Sequence, residues 1–394
     1  RVATVFQQLH SEPPPFPVIT VAGTNGKGSS VAMLEAILLA AGYRVGSYTS
    51  PHLLTYNERV RLAGVPVSDA VLIESFARID EARLDNSLTY FEFGTLAALD
   101  IFYRQLPDVV VLEVGLGGRL DAVNIIDSDV ALITSISVDH AEWLGDDRET
   151  IAVEKAGIMR AGHPAIFSGR NVPASLVEHA ATLGAPLSVL GRDFDYQAHQ
   201  TDWQWQAGNQ PAITLPMPAL AGQHQLDNAA GVLMALACLA QQLPVDESAL
   251  RQGLQNVSLP GRFQVVHTEV TWVLDVAHNP DGVARLTELL AANPVAGKTL
   301  AVIGMMQDKD ILAVVNQLQP QVDAWYTATL PSPRSADAEM VAELIRDETG
   351  LKQVEAYADV SAACEAAKVA AGDTDRILVC GSFYTVAAAV SHSI

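Results

Sequence analysis

Apolar side chains alternate along the chain between short β-branched runs and longer stretches with helical spacing. Residues 18–22 form a β-branched run that stops at Gly23, and apolar residues then repeat at helical spacing from Lys27 until Gly42. The same alternation predicts strands at 44–48, 109–112 and 130–134 and helices at 69–85, 91–104, 224–242 and 247–255. It is typical of a parallel sheet that helices cover on both faces.

Two segments interrupt this rhythm. Residues 193–215 place Trp203 and Trp205 among alternating polar residues, which predicts an antiparallel hairpin. Residues 258–261, Ser-Leu-Pro-Gly, have the composition of a linker. Strands are then predicted near 272–276, 299–304, 324–328, 354–357 and 377–380, again alternating with helices. We therefore predict an α/β protein of two domains, 1–260 and 261–394, the second smaller and doubly wound.

Charge and composition narrow the possible partners. The chain of 394 residues has 24 Lys and Arg against 45 Asp and Glu, a net charge of −21, so a general basic face for nucleic acid is excluded. The longest apolar stretch, 229–240, is shorter than the roughly 20 residues that span a bilayer. Three cysteines without a CxxC pair predict buried thiols and a cytoplasmic location. Because the chain does not begin with Met, we expect a native segment before Arg1.

The strongest motif is a glycine-rich loop between the first strand and the first helix. It reads Gly23-Thr-Asn-Gly-Lys-Gly-Ser29. Backbone N–H groups of such a loop, a helix N-terminus and the Lys27 ammonium together attract phosphate oxygens. The loop departs from a strict Walker A motif because Gly28, rather than Ser or Thr, follows Lys27. The alternative is a glycine turn that only caps the helix.

Further candidate residues follow predicted strands or the linker. Glu113 and His140 come after strands, where the carboxyl ends of a parallel sheet converge, and could hold Mg²⁺ with Lys155 nearby. Each of them alone could also be an ordinary acid or a hydrogen-bonded loop histidine. Arg262 could bind phosphate and Asp275 a ribose or base edge. Equally, Arg262 could form a surface ion pair, and residues 275–279 could form an Asx turn that caps a helix.

Eight motifs together resemble one enzyme family. In order, they are Gly23-Thr-Asn-Gly-Lys-Gly-Ser29, Ser50-Pro-His-Leu53, Leu88-Thr-Tyr-Phe-Glu92, Glu113-Val-Gly-Leu-Gly-Gly-Arg-Leu-Asp121, Asp139-His140, Glu154-Lys-Ala-Gly-Ile158, Leu259-Pro-Gly-Arg-Phe263 and Asp275-Val-Ala-His-Asn-Pro280. The chain resembles the folylpolyglutamate synthases of the Mur ligase superfamily, in particular the bacterial bifunctional dihydrofolate synthase/folylpolyglutamate synthases. Ser29 stands where many members have Thr, and Tyr384 where His is common.

The resemblance implies a fold and a role for each matching residue. The fold would be a P-loop parallel-sheet ATPase domain followed by a Rossmann-like domain. The ATP site would comprise Thr24, Asn25, Gly26, Lys27, Gly28, Ser29, Asn228, Arg262, Asp275 and His278. Mg²⁺, at two sites, would be held by Ser50, Glu113 and His140. The pterin site would be lined by Thr89, Tyr90, Phe91, Glu92, Leu120, Asp121 and Ala122, and the incoming glutamate would contact His278 and Ser382. Lys155 matches a lysine that is carbamylated, and Lys27, His140 and Lys155 would be catalytic.

The activity implied is ATP-dependent ligation of L-glutamate to dihydropteroate and to reduced folates through an acyl phosphate, by a monomer. A monofunctional folylpolyglutamate synthase and a Mur-type peptidoglycan ligase are the enzyme alternatives, and a nucleotide-binding regulator is the non-enzyme alternative. Residues 113–154 hold ten acidic and two basic residues, so part of the negative charge is expected to form a cation site.

Overall fold

The chain divides into two compact units in a computed structural model that describes residues 1–139, 141–351 and 353–392. The first unit comprises Arg1–Ala219 and Gln223–Ser258, and the second comprises Leu220–Gly222 and Leu259–Ile394. The short segment Leu220–Gly222 groups with the second unit, and the chain then passes finally from the first unit to the second between Ser258 and Leu259, inside the segment 258–261. The functional division into an ATP-binding and a glutamate-ligase domain stays a prediction.

The first unit is built on an eight-stranded sheet in the order β4-β3-β2-β5-β1-β6-β7-β8. Its strands are β1 (Val18–Ala22), β2 (Val45–Tyr48), β3 (Val60–Leu62), β4 (Val65–Pro66), β5 (Val109–Glu113), β6 (Val130–Ile133), β7 (Ala165–Phe167) and β8 (Leu187–Val189). Six neighbouring strands are parallel: β2, β5, β1, β6, β7 and β8. The strands β3 and β4, at one edge, are antiparallel. The parallel sheet is confirmed. Edge strands of three and two residues have no apolar run that would predict them.

Helices connect these strands. They are α1 (Val2–Leu9), α2 (Lys27–Ala40), α3 (Asp69–Ala82), α4 (Tyr90–Gln105), α5 (Ala141–Leu144), α6 (Arg148–Ala156), α7 (Ala174–Leu183), α8 (Gln223–Cys238) and α9 (Glu247–Asn256). A separate antiparallel sheet consists of β9 (Phe194–Ala198), β10 (Asp202–Ala207) and β11 (Ile213–Pro216). The antiparallel pairing predicted for this segment is present, but the prediction of a hairpin was incomplete, because β10 pairs with a third strand as well.

A buried carboxylate joins three helices of this unit. Asp100 of α4 is completely buried, and it accepts hydrogen bonds from His10, Ser75, Arg78 and Arg104, at 2.9, 2.9, 3.1 and 3.1 Å. These donors follow α1 or lie on α3 and α4. Burial opposes ionisation, but the donors more than compensate, so the pKa of Asp100 lies below its ordinary value. The charge therefore fixes how these helices pack.

The second unit has a six-stranded sheet in the order β12-β13-β17-β14-β15-β16. Its strands are β12 (Gln264–His267), β13 (Thr271–Leu274), β14 (Thr299–Ile303), β15 (Ala324–Ala328), β16 (Val354–Tyr357) and β17 (Arg376–Cys380). Its helices are α10 (Pro280–Ala292), α11 (Ile311–Leu318), α12 (Ala338–Thr349), α13 (Val360–Ala370) and α14 (Phe383–His392). All pairings are parallel except that of β12, an edge strand absent from the sequence prediction.

Two expectations from composition can be compared with the fold. Cys364 and Cys380 are buried, Cys238 is half-buried, and none of the three is in a disulfide. Within residues 1–139, 141–351 and 353–392, the helices are too short or too polar to cross a bilayer.

Candidate active site

The glycine-rich loop lies between β1 and α2 and fits closely against its neighbours. Gly23 and Gly26 have φ angles of 149° and 92°, in the left-handed half that favours glycine. A β-carbon at Gly23 would overlap the Thr134 hydroxyl, and one at Gly26 would overlap the Asn228 amide. The loop is anchored because the Thr24 N–H donates to the carbonyl of Ser135, 2.7 Å away. Only glycine therefore fits at both positions.

Lys27 begins α2 and turns back over this loop. Its Nζ donates to the carbonyls of Gly23 and Thr24, at 2.9 and 3.3 Å. Gly26 precedes the helix and provides no side-chain cap for its first N–H groups. An ammonium beside an uncapped helix N-terminus attracts an anion. The predicted phosphate-binding residues from Thr24 to Ser29 are thus together in one loop and helix start.

Asn228 reaches the same loop from α8. Its amide donates to Gln225 Oε1 at 3.0 Å, and Gln225 Nε2 donates to the buried Ser29 hydroxyl at 3.3 Å. Sequence reasoning missed Gln225. The available signal was its spacing, because a residue three positions before Asn228 lies on the same face of a helix.

Ser50 and Glu113 meet at the carboxyl ends of β2 and β5. The Glu113 side chain, only 5% exposed, accepts a hydrogen bond from the Ser50 N–H at 3.1 Å. Within the described ranges, no group of three or more His, Cys, Asp or Glu side chains could hold a metal. His140, the third predicted metal ligand and a predicted catalytic residue, lies outside the described residues.

Lys155 is a buried amine within electrostatic range of Lys27, at the glycine-rich loop. It lies on α6 and is 3% exposed. Its pKa is lowered from 10.5 to about 7, mainly by burial and then by repulsion from Lys27, while Asp139 opposes the shift. Near neutral pH, a large fraction of this amine is therefore uncharged.

The predicted pterin-site residues 89–92 form the start of α4. Thr89 and Glu92 are a capping box, because the Glu92 N–H donates to the Thr89 hydroxyl at 3.2 Å and the Thr89 N–H donates to the Glu92 carboxylate at 2.7 Å. Tyr90 is 65% exposed. The Phe91 ring lies 6.1 Å from that of Tyr48 and against Gly115, where a β-carbon would overlap it. Thr89 and Glu92 thus have a structural task, while Tyr90 offers an exposed surface.

The other predicted substrate segment follows β5. Leu120 is 79% exposed, whereas Ala122 is buried. Asp121 accepts hydrogen bonds from the N–H groups of Leu116 and Val123, at 2.9 and 3.0 Å, and burial raises its pKa. Asp121 therefore shapes the turn that presents Leu120.

The remaining predicted residues belong to the second unit. The buried Asp275 accepts from the N–H groups of Phe263 and Ala277, both at 2.8 Å. Burial raises its pKa, and the Arg262 charge opposes this shift. The Asn279 side chain caps α10 by accepting from Gly282 N–H at 2.8 Å. Asp275 and Asn279 thus make the turn and cap that were the structural alternative for this segment.

Three predicted residues of this unit have other local contacts. The Arg262 guanidinium lies 5.3 Å from the centre of the Phe383 ring. His278 Nδ1 is 2.9 Å from the carbonyl of Val276. The Ser382 hydroxyl, at the start of α14, accepts from the Thr385 N–H at 3.0 Å.

The acidic side chains of segment 113–154 have several different structural roles. Asp129 and Asp147 accept hydrogen bonds from backbone N–H groups of Val18 and Thr150, and Glu149 accepts from Ala174 and Ser175. Ion pairs form between Asp127 and Arg160 and between Glu154 and Arg119. Much of this negative charge is therefore used locally for caps and ion pairs.

Comparison with known proteins gives the class of this fold and site. The Mur ligase middle domain matches residues 21–236, and the Mur ligase glutamate ligase domain matches residues 261–383. These matches cover both units.

Individual relatives narrow the class. The dihydrofolate synthase/folylpolyglutamate synthase of Escherichia coli strain K12 is 47% identical over 388 residues, which are 98% of this chain and 89% of that protein. The structure of E. coli FolC in complex with DHPP and ADP has a TM-score of 0.93 and 46% identity, covering 99% of this chain and 91% of that one. A bifunctional folylpolyglutamate synthase/dihydrofolate synthase with Mn, AMPPNP and L-glutamate bound has a TM-score of 0.92 and 48% identity, covering 99% and 93%.

This chain belongs to the dihydrofolate synthase/folylpolyglutamate synthase family of Mur ligases. The resemblance drawn from the eight motifs is confirmed, and so is the fold class of a larger parallel-sheet unit followed by a smaller α/β unit.

Proposed function

We propose that this chain joins L-glutamate to dihydropteroate, which yields dihydrofolate, and to reduced folates, whose γ-carboxyl it extends. As a member of its family it is an ATP-dependent ligase of folate metabolism. The observation that carries the proposal is the phosphate loop at residues 23–29 in a chain that matches this family over 98% of its length. DHPP, ADP and L-glutamate in the structures of relatives support the substrates.

The chemistry explains why ATP is needed. A carboxylate is a poor electrophile, and its oxygen is a poor leaving group, so it does not condense with an amine in water. Transfer of the γ-phosphoryl group of ATP to the acceptor carboxylate breaks the β–γ phosphoanhydride bond and forms an acyl phosphate. The uncharged amine of glutamate attacks the acyl carbon, phosphate leaves and the amine loses its proton. Lys27 neutralises phosphate charge during the transfer, and Thr24 to Ser29 orient the phosphates.

A divalent metal is proposed to bind at Ser50 and Glu113, with His140 as a third ligand. The structure of one relative has Mn, AMPPNP and L-glutamate bound. The chemistry of the donors fits Mg²⁺, which prefers one or two carboxylates and takes its other ligands from water and phosphate. The Ser50–Glu113 hydrogen bond holds the carboxylate at the ends of the strands. The metal would supply charge neutralisation at the phosphates. Two such sites are proposed, as the family resemblance implies.

Lys155 is proposed to be carbamylated. An uncharged amine attacks CO₂ and releases a proton, and the pKa of about 7 leaves enough of that form at neutral pH. The resulting carbamate would replace repulsion from Lys27 with attraction and would add an anion near the metal. Mass spectrometry of the intact protein after exposure to isotopically labelled bicarbonate, with Lys155→Met as the control, tests this modification.

The other residues are proposed to bind substrates. Asn228, Arg262 and Asp275 would bind ATP, and His278 would contact ATP and glutamate. Ser382 would contact glutamate, and residues 89–92 and 120–122 would line the pterin site. The monomeric state and the exclusion of nucleic acid stay predictions.

The deciding experiment measures ADP release from ATP with dihydropteroate and glutamate, beside a second assay with a reduced folate. Ligation of both acceptors is expected, and Lys27→Ala should abolish both reactions. Ligation of the folate alone would indicate a monofunctional synthase, and a uridine-nucleotide substrate would indicate a peptidoglycan ligase. Nucleotide binding without turnover would indicate a regulator. Near wild-type ligation by Lys27→Ala would contradict the role of the phosphate loop.

A further inference from the structure

Arg59 is a nearly buried cation for which the described chain provides no carboxylate partner. It follows the loop after β2, is 8% exposed, and forms none of the ion pairs within residues 1–139, 141–351 and 353–392. Among the described residues, its side chain donates one hydrogen bond, from Nε to His52 Nδ1 at 2.9 Å. Buried charges in proteins are ordinarily paired, because desolvation without a partner is costly. A guanidinium that is largely enclosed, has no carboxylate partner among the described residues and keeps its terminal nitrogens accessible is suited to bind an anion from outside the chain.

The surroundings of Arg59 have the composition of a recognition site. Its guanidinium lies 5.4 Å from the centre of the Tyr56 ring and 5.5 Å from that of Tyr90. Both distances are within the range of a cation–π interaction. The two terminal nitrogens of Arg59 donate to no described side chain, and neither nitrogen is fully buried. Two parallel N–H donors of this kind bind a carboxylate in bidentate geometry.

The position of Arg59 connects it to the proposed substrate site. Tyr90 is an exposed residue of the proposed pterin segment 89–92. The Arg59 carbonyl accepts a hydrogen bond of 2.9 Å from the N–H of Thr49, the residue before Ser50. Arg59 and Asp121 both act electrostatically on Tyr48. Lys27 also acts on Asp121, so Asp121 lies within electrostatic range of both the Tyr48 region and the glycine-rich loop. Arg59 and Lys27 therefore border the same proposed site.

We infer that Arg59 binds the non-reacting carboxylate of a folate substrate and thereby sets the preference between the two acceptors. Dihydropteroate has one carboxylate, the one that reacts, whereas a folate has a second carboxylate on each glutamate residue. Lys27 and a metal accompany the reacting group, so the second anion requires a cation of its own. This inference rests on the proposed function.

The test compares both acceptors in charge-removing variants. In Arg59→Met, kcat/KM for the reduced folate is expected to fall about 10- to 100-fold through KM, the usual effect of losing charged hydrogen bonds, while kcat/KM for dihydropteroate changes less than about threefold. Arg59→Gln retains an N–H donor toward His52 and should lose kcat/KM for the reduced folate selectively, as Arg59→Met does. Arg59→Lys retains the charge and should recover part of that kcat/KM. Arg83→Met removes the same charge from an exposed pair with Asp80 and should change neither reaction.

A binding measurement keeps the test independent of turnover and of one variant's folding. Dihydropteroate and dihydrofolate differ only by glutamate, so the ratio of their dissociation constants isolates the second carboxylate. This ratio should change about 10-fold or more in Arg59→Met or Arg59→Gln, whichever retains the wild-type unfolding transition. Equal losses for both acceptors, or no loss for either, would overturn the role of Arg59. If the wild-type protein ligates neither acceptor but the ratio of dissociation constants still changes in the Arg59 variants, the proposed function fails while the carboxylate-binding role of Arg59 stands.

Discussion

Lys155 provides a prediction whose magnitude can be derived from its burial. Replacing it with Met retains an unbranched side chain of similar length and removes the amine. One pKa unit corresponds to about 1.4 kcal/mol, so a shift from 10.5 to about 7 corresponds to an upper limit of about 5 kcal/mol for keeping this ammonium buried. Lys155→Met is therefore expected to raise the stability of the first unit below about pH 7, relative to the unmodified wild type, and to abolish ligation.

The pH dependence gives this prediction its sign. Between the folded pKa of about 7 and the unfolded value of 10.5, the unfolded chain binds a proton at Lys155 that the folded chain does not. Stability of the wild type must therefore rise with pH across this interval, whereas Lys155→Met lacks this contribution. From about pH 7 to 9, the advantage of the variant should shrink by roughly 2–3 kcal/mol.

Thermal unfolding in CO₂-free buffers between about pH 6.5 and 9.5 measures this difference. The exposed Lys298 of the second unit provides the control Lys298→Met, which should not shift the transition of the first unit. Bicarbonate at about pH 8 should stabilise the wild type alone, because only it forms a carbamate. A difference between wild type and Lys155→Met that stays constant with pH would refute the reasoning.

Three further substitutions test local arguments. Gly26→Ala introduces a β-carbon that overlaps Asn228 at a φ of 92°, so we expect a loss of about 1–2 kcal/mol in thermal unfolding together with weaker ATP binding in titrations; unchanged ATP affinity would contradict the close fit of the loop. Asp100→Asn removes the charge that four side chains bind, and it should cost about 3–5 kcal/mol in urea unfolding near neutral pH. Because the pKa of Asp100 is lowered, the stability difference between wild type and variant should vanish as the pH falls through this pKa. A loss below about 1 kcal/mol near neutral pH would contradict the role of the Asp100 charge in joining the three helices. Thr89→Ala should cost about 1 kcal/mol through the lost cap of α4, Thr89→Ser should restore it, and equal stability of both variants would exclude the capping role.

The parallel core of each unit was predictable because its strands are continuous apolar runs. Residues 18–22 and 324–328 are strands over the predicted lengths, and α2 begins at the predicted Lys27. The short edge strands β3, β4 and β12 were not predicted. They are held in strand conformation by pairing with a neighbour, and this depends on contacts that local apolar patterns do not show.

The candidate site, too, was only partly predictable from the sequence. The sequence predicted that Glu113 and Lys155 lie near Lys27, because the carboxyl ends of strands in a parallel sheet converge at one edge, and in the fold Lys27 acts electrostatically on Lys155. Their roles toward ATP stay predictions. The sequence did not reveal that Thr89 and Glu92 cap each other, since a capping box and a ligand contact use the same residue types. Nor did it reveal Gln225, which became apparent from its hydrogen bonds to Asn228 and Ser29.

The amino-acid sequence alone was enough to predict the family, through the resemblance of its motifs, and the parallel α/β architecture with its glycine-rich loop, because motifs and apolar spacing are local properties of the chain. Burial and charge pairing depend on residues far apart in the chain, and they emerged only in the folded protein. Lys155 has a pKa of about 7 because folding encloses it near Lys27, which is 128 positions away in the sequence. Arg59 is distinctive for a similar reason: folding buries it near the Tyr90 ring, and none of the residues that the structure describes brings it a carboxylate.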